Sequence, residues 1–242
     1  MIVKTLAIVI SAIKYQEKSL IVNCFTQQLG MQTYFIPSAY SSKKSASKIA
    51  FYQPLQWLEL EAYHLPNKNL QRIKEVRLWH AYNHIPSDLV KSSIAIFLAE
   101  ILKMSLHEQT PNQGLFAFLQ QSMHQLEEME NPSTFPVYFL IQLTKYLGFY
   151  PDDNFTENSF FDLQDASFHP FQSINALSES QSNLFYRFIS NCESINNLNF
   201  SYAERQQLLT ILLQFYQLHQ SGFYPPKSLE VLQEVLEVLK KK

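Results

Sequence analysis

The sequence predicts an α+β protein: a small N-terminal β-barrel, then an all-α helical domain carrying a small metal-free hairpin insertion. Three observations predict it. Apolar residues alternate up to about His80, then recur at steps of three and four. Charge changes at the same place: residues 1–80 carry ten Lys or Arg against four Asp or Glu, and residues 81–242 carry nine against seventeen. The halves are therefore +6 and −8 within a net −2. The third observation is that only four glycines occur in 242 residues, which argues against Walker or Rossmann phosphate loops. The expected domains are residues 1–80, a nucleic-acid-binding barrel, and 81–242, helical, with an irregular insertion at about 150–175.

The strands come first. Thr5 to Ile10 and Leu20 to Thr26 are apolar runs rich in β-branched residues. Gly30 marks a turn, and Met31 to Ile36 follows at hairpin distance. In Gln56 to Tyr63, Leu58, Leu60 and Ala62 share one face; Trp57, Glu59, Glu61 and Tyr63 share the other. Leu70 to Leu78 is the fifth strand. Five short strands in about 80 residues fit a closed barrel of the OB type, and an SH3-like barrel almost as well.

The helices follow Pro86. Val90, Ile94, Phe97, Ile101 and Met104 make one apolar stripe, with Ser87 and Asp88 as capping residues. Further helices are expected over 113–129, 134–147 (stopped by Gly148) and 179–192. Another carries Leu208, Ile211, Leu212, Phe215 and Leu218. The last starts at Pro225-Pro226 and turns Leu229, Leu232, Leu236 and Leu239 inward. Between them, Phe160–Leu163 and Ala166–Phe168 suit a hairpin around Gln164-Asp165.

Catalytic motifs are absent: no nucleophile elbow, no HExxH helix, no calcium loop. Two cysteines, Cys24 and Cys192, exclude a disulfide framework and a cysteine zinc finger. His80 and His84 have helix-face spacing but no third ligand nearby, so they read as junction histidines. Asp152, Asp153, Asp162 and Asp165 read as polar loop residues. No apolar run approaches the roughly 20 residues of a membrane span, and no secretory leader is recognisable, so a cytosolic protein is expected. The stronger signal is basic. Lys43, Lys44 and Lys48 lie among serines, and Arg72, Lys74 and Arg77 lie on the last strand. These six are the candidate DNA contacts. Tyr34, Tyr40, Phe51, Tyr52 and Trp57 are interleaved, as base-stacking platforms or as barrel core.

These residues carry a resemblance. Tyr15-Gln-Glu-Lys-Ser-Leu-Ile-Val-Asn-Cys-Phe-Thr26 followed by Gly30, then the Ser-Lys loop at 41–45, Gln53-Pro54-Leu55, Leu147-Gly148-Phe149-Tyr150-Pro151, and His219, Gly222 and Lys227-Ser228-Leu229 resemble the bacterial RecO family in order and spacing. The resemblance covers almost the whole chain. It implies a non-enzymatic recombination mediator in the bacterial cytoplasm, associated with the nucleoid and needing no cofactor. Such a mediator binds single- and double-stranded DNA and anneals complementary strands. The implied partners are RecR, the C-terminal tail of the single-stranded-DNA-binding protein and, indirectly, RecA; no membrane is implied. For the acidic tail, Lys145, Arg187 and Arg205 on three helices are the candidate contacts. Many family members carry four zinc-binding cysteines after the Gly-x-x-Pro element. This chain reads Asp152-Asp-Asn-Phe-Thr-Glu-Asn-Ser-Phe-Phe-Asp162 there, so those ligands cannot be carried over. Phe155, Phe160, Phe161 and Phe168 are expected to hold the hairpin instead. A second reading is a protein-interaction adaptor whose barrel binds no DNA.

Overall fold

A computed structural model describes residues 1–40 and 49–240. Five strands close a barrel: β1 (Ile2–Tyr15), β2 (Ser19–Thr26), β3 (Gly30–Ile36), β4 (Trp57–Tyr63) and β5 (Leu70–His80). Their order is β1-β2-β3-β5-β4, with β3 and β5 parallel and every other pair antiparallel. This is the OB-like arrangement, not the SH3-like alternative. Strand β1 is longer than its apolar run because it serves two partners. Ile2–Ile8 pair with β4 and Ala7–Tyr15 with β2, and the register shifts between Val9 and Ser11. That irregularity bends the strand around the barrel.

Alternation decides what each strand buries. Ala7, Val9, Val22, Cys24, Tyr34, Leu58, Leu60 and Ala62 point inward and form the barrel core, joined by Ala39 and Tyr52. The outward row Ile8, Phe25 and Trp57 is buried as well. It is covered by Phe116, whose ring lies 6.2 Å from Phe25 and 5.2 Å from Trp57. Phe116 belongs to α2 (Gln113–Glu128), which follows α1 (Leu89–Ser105). Asp88 caps α1 by accepting from the backbone N–H groups of Val90 and Lys91. Thus residues 1–128 form one compact unit and 129–242 a second. The change in periodicity falls near residue 80, but the first two helices belong to the barrel's unit. Gly30 shows how close that packing is: its φ is +63°, and a Cβ there would stand 2.4 Å from the Thr110 carbonyl oxygen.

The second unit holds α3 (Phe135–Leu147), α4 (Glu179–Ile189), α5 (Tyr202–His219) and α6 (Leu229–Lys240). Gly148 ends α3 in the left-handed conformation. Ser178 and Ser201 start α4 and α5 with capping boxes. Helix α4 stops at Ile189, three residues early, because Asn191 and Cys192 turn back onto the carbonyls of Phe188 and Ile189. In α6, Leu232 and Leu236 are buried and Leu229 is partly so; the Leu239 side chain lies outside the described residues.

The hairpin insertion is present as β6 (Phe160–Asp162) and β7 (Ser167–His169). Aromatic rings hold it. Phe161 contacts Phe168, Phe185 and Phe215 at 4.9, 4.5 and 6.0 Å between centroids. Phe155 stacks on Tyr186 at 4.0 Å and meets Phe168 edge-on. Phe160 is only partly buried. Asp162 is structural: its carboxylate accepts from the N–H groups of Gln164 and Asp165 and from the Ser173 hydroxyl.

Candidate nucleic-acid interface

The outward residues of the barrel separate into two exposed faces, set by register. On the first, β4 places Glu59 and Glu61 opposite Arg77 and Glu75 of β5, and β1 places Lys4 opposite Glu61. Lys74 donates to Glu61 at 2.8 Å, and Arg77 to Glu75 at 2.7 Å. The Lys74 hydrogen bond lowers the Glu61 carboxyl below its ordinary range, and the Glu61 bond raises Lys74. Its bond to Glu75 raises Arg77 in the same way. Three acids thus stand among three cations, so this face is nearly neutral.

The second face runs along directly paired residues: Ile13 opposite Ile21, Ile21 opposite Phe35, Phe35 opposite Arg72, and Arg72 opposite Tyr63. Tyr15 meets the Phe35 ring edge-on at 6.2 Å. Lys14 lies 5.4 Å from the centre of the Tyr40 ring. Arg72 is exposed and makes no ion pair among the described residues. The barrel's remaining acid, Glu17, sits in the β1–β2 turn. Lys43, Lys44 and Lys48 lie outside the described residues. On either side of them, Ala39 and Ile49 pack against the barrel core.

The structure sorts the interleaved aromatics. Tyr34 and Tyr52 are buried in the barrel core and offer no face to a base, Trp57 is buried on the outward row under Phe116, and Phe51 is half-buried and packs on the core. Tyr40 is exposed. The outward aromatics of the second face are Tyr15, Phe35 and Tyr63, none of them among the stacking candidates named from sequence. Each face of β3 carries one polar residue and one aromatic, Gln32 with Tyr34 and Thr33 with Phe35, so alternation alone cannot choose between Tyr34 and Phe35. The register with Val22 and Cys24 chooses.

In the second unit, Arg187 and Arg205 converge on one residue. The Arg187 guanidinium stands 4.9 Å from the centre of the Phe200 ring, and Arg205 donates to the Phe200 carbonyl at 2.5 Å. Both are engaged: Arg187 also pairs with Glu204, and burial lowers the Arg205 guanidinium. Hydrogen bonds from Ser201, then from Arg187, hold the Glu204 carboxyl at about 2. Lys145 is not with them. Its ammonium lies over the Tyr150 ring at 4.7 Å, in a pocket rimmed by Asp152, Asp153 and Glu193.

The two junction histidines part company. His84 Nδ1 lies 3.4 Å from Glu127, whereas His80 faces Trp79 and Tyr82. Among the described residues, no group of three His, Cys, Asp or Glu is placed to hold a metal ion. Cys24 is core, its thiol pushed up by burial; Cys192 donates to the Ile189 carbonyl.

Glu127 is a residue the sequence reading missed. It is 3% exposed and accepts from three successive backbone N–H groups, Asn83, His84 and Ile85, at 2.6, 2.8 and 2.9 Å. Burial pushes its carboxyl up, but these three bonds outweigh it and hold it below the ordinary range. Lys91 donates to the Glu127 carbonyl oxygen at 2.5 Å. A signal existed: Glu127 follows Leu119, Met123 and Leu126 on the apolar stripe of α2.

Comparison with known proteins gives a consistent result. Residues 1–82 match the family model described as recombination protein O N terminal, and residues 86–230 the model for recombination protein O C terminal. A DNA repair protein RecO of Flavobacterium psychrophilum is 48% identical over 234 residues, covering 96% of this chain and 98% of that protein. A protein of the same name from Flavobacterium johnsoniae is 41% identical over 233 residues, with 96% and 98% covered. Another from Phocaeicola vulgatus is 36% identical over 240 residues, with 97% and 99% covered.

Proposed function

The chain belongs to the RecO family, and on that premise we propose that it acts in recombinational DNA repair as a mediator, without catalysing a reaction of its own. In this reading the barrel, residues 1–80, binds single- and double-stranded DNA. The helical part, 81–242, serves protein partners: RecR and the tail of the single-stranded-DNA-binding protein. The outcome is annealing of complementary strands and help in loading RecA.

One observation carries the DNA-binding step. Three of the barrel's four acids share one face with Lys4, Lys74 and Arg77, which leaves the excess of positive charge elsewhere. A cation without a carboxylate partner is free to replace counterions along a phosphate backbone. Arg72 meets that condition on the Phe35 face, and Lys43, Lys44 and Lys48 are proposed to join it. Lys74 and Arg77 are proposed as weaker contacts, since each must leave a carboxylate first. For the acidic tail, Arg187 and Arg205 beside Phe200 offer a shared cationic edge; Lys145, ringed by acids, is the weakest of the three candidates.

A titration with single-stranded and duplex DNA at several salt concentrations tests this reading. Affinity should fall linearly with salt on logarithmic axes, as counterion release requires. Binding that ignores salt, or no binding at all, favours the adaptor reading, in which the barrel's charge is incidental.

A further inference from the structure

A cavity of about 290 Å³ opens in the first unit, next to the charged face along β4 and β5, where Trp57 and Trp79 stand two residues from Glu59 and Arg77. Six residues line it: Trp57, Trp79, His80, Tyr82, Gln120 and His124. The Trp57 indole is its floor, 2% exposed, and meets Trp79 edge-on at 5.9 Å; Trp79 is 43% exposed and forms a wall. Tyr82 stands edge-on to His80 at 5.5 Å and spends its hydroxyl on the Leu55 carbonyl, so it presents only its ring to the cavity. Gln120 and His124 are one turn apart on α2 and share a face. No lysine, arginine or carboxylate is among the lining residues.

We propose that this cavity is a nucleobase pocket, which takes one unstacked base of a single strand. The lining disfavours other ligand classes. A phosphate or carboxylate would find no lysine or arginine. A purely apolar side chain would leave three hydrogen-bonding groups unused. The side chains of His80, Gln120 and His124 make no hydrogen bond among the described residues. A planar heterocycle satisfies both halves of the lining. Its face stacks on the Trp79 indole, and its edge meets imidazole and amide. A glutamine amide suits the donor–acceptor pair of an adenine edge, so adenine is the favoured base. Aromatic stacking of this kind is worth roughly 1–3 kcal/mol per base. The pocket sits at the far end of β5 from Arg72, so a strand held at the open face has eight residues of β5 to follow to reach it. That path rests on the proposed DNA-binding reading.

The two lining tryptophans are the only ones in the chain, which makes their fluorescence a reporter of this pocket. The full-length protein is titrated with a short oligodeoxyadenylate and with an abasic oligonucleotide of equal length. Oligodeoxyadenylate is expected to quench the emission, and the abasic strand to bind without quenching. Trp79→Ala should weaken oligodeoxyadenylate binding by roughly 5- to 150-fold and leave the salt slope unchanged, since no phosphate contact is lost. Trp79→Phe should restore most of the affinity, which separates a lost stacking face from a misfolded barrel. Gln120→Ala should weaken oligodeoxyadenylate more than oligodeoxythymidylate. If oligodeoxyadenylate binds with a normal salt slope but leaves both the emission and the Trp79→Ala affinity unchanged, the pocket is not a base site, while the DNA-binding reading stands. If N-acetylphenylalanine amide quenches the emission and the oligonucleotide does not, the pocket takes a protein side chain and the proposal is overturned. If no strand binds at all, the reading of the barrel fails first.

Discussion

The two exposed faces of the barrel share β1, β4 and β5, yet they differ in chemistry. On one, Lys4, Lys74 and Arg77 stand among Glu59, Glu61 and Glu75. On the other, Arg72 lies beside Phe35 and Tyr63, with no carboxylate paired to it among the described residues. A count of lysines and arginines treats these positions alike. Register separates them, because it decides which charges sit opposite one another. A polyanion is drawn by charge that is not already answered. The comparison therefore teaches that a +6 domain is not uniformly basic: on one face three of its cations are answered by three acids.

Reversing the proposed DNA contacts is the largest test. Replacing Lys43, Lys44 and Arg72 together by Glu sets carboxylates where cations are proposed to meet phosphates. Like-charge juxtaposition costs several kcal/mol, so DNA affinity should fall about 100-fold or more. Binding measured by fluorescence anisotropy at fixed salt checks this. Retention of affinity would move the DNA site off this face.

Single substitutions sharpen the contrast. Arg72→Ala should lower the salt slope by about 0.9 on duplex DNA and about 0.7 on single strands, the loss of one phosphate contact. Lys74→Ala and Arg77→Ala should change it less, because each removes a cation already held by a carboxylate. Equal slopes for all three would erase the distinction between the faces. The converse experiment neutralises the acids. Glu59→Gln, Glu61→Gln and Glu75→Gln together release Lys74 and Arg77, and the slope should steepen by up to about two contacts. A slope that stays put would mean that DNA never approaches this side.

How much of this was legible in sequence differs by feature. The five strands, six helices and the hairpin at 160–169 follow from periodicity and turn residues, since burial of an apolar stripe needs no distant partner to be recognised. Strand ends were less legible. The early part of β1, Ile2–Lys4, is strand because β4 pairs with it, and no local run announces that. The site was legible only as composition. Arg72, Lys74 and Arg77 look like one basic group, and only pairing with β4 divides them. The aromatics misled for the same reason. Trp57 alternates with Glu59 and Glu61 as an outward residue should, yet Phe116 from α2 covers it. Glu127 lay hidden in an acidic run, although its place on the apolar stripe of α2 marked it for burial.

The smallest effect concerns what the paired face contributes to folding. Glu61 titrates below its ordinary value in the folded chain, held first by the Lys74 hydrogen bond. Such a group stabilises the fold above its unfolded pKa of about 4.3, and the contribution disappears as pH falls through the lower folded value. Lys74 has the opposite sign: its folded value is raised, so its contribution is present below about 10.4 and lost as pH climbs through the raised value. The pair therefore supports the barrel across a window from about pH 5 to about pH 10. Lys74 is exposed and Glu61 part-buried at the barrel surface, where water and salt screen the attraction, so the gain is small. Glu61→Gln should lower the melting temperature slightly and evenly from pH 5 to pH 9. The difference from wild type should shrink at pH 3, where Glu61 gains a proton, and shrink again in high salt. A deficit that persists unchanged at pH 3 would assign it to lost packing at Glu61, and not to the ion pair. Because this face gains so little from its charges in folding, its acids can be removed to expose Lys74 and Arg77 without unfolding the barrel, which is what the triple Gln variant requires.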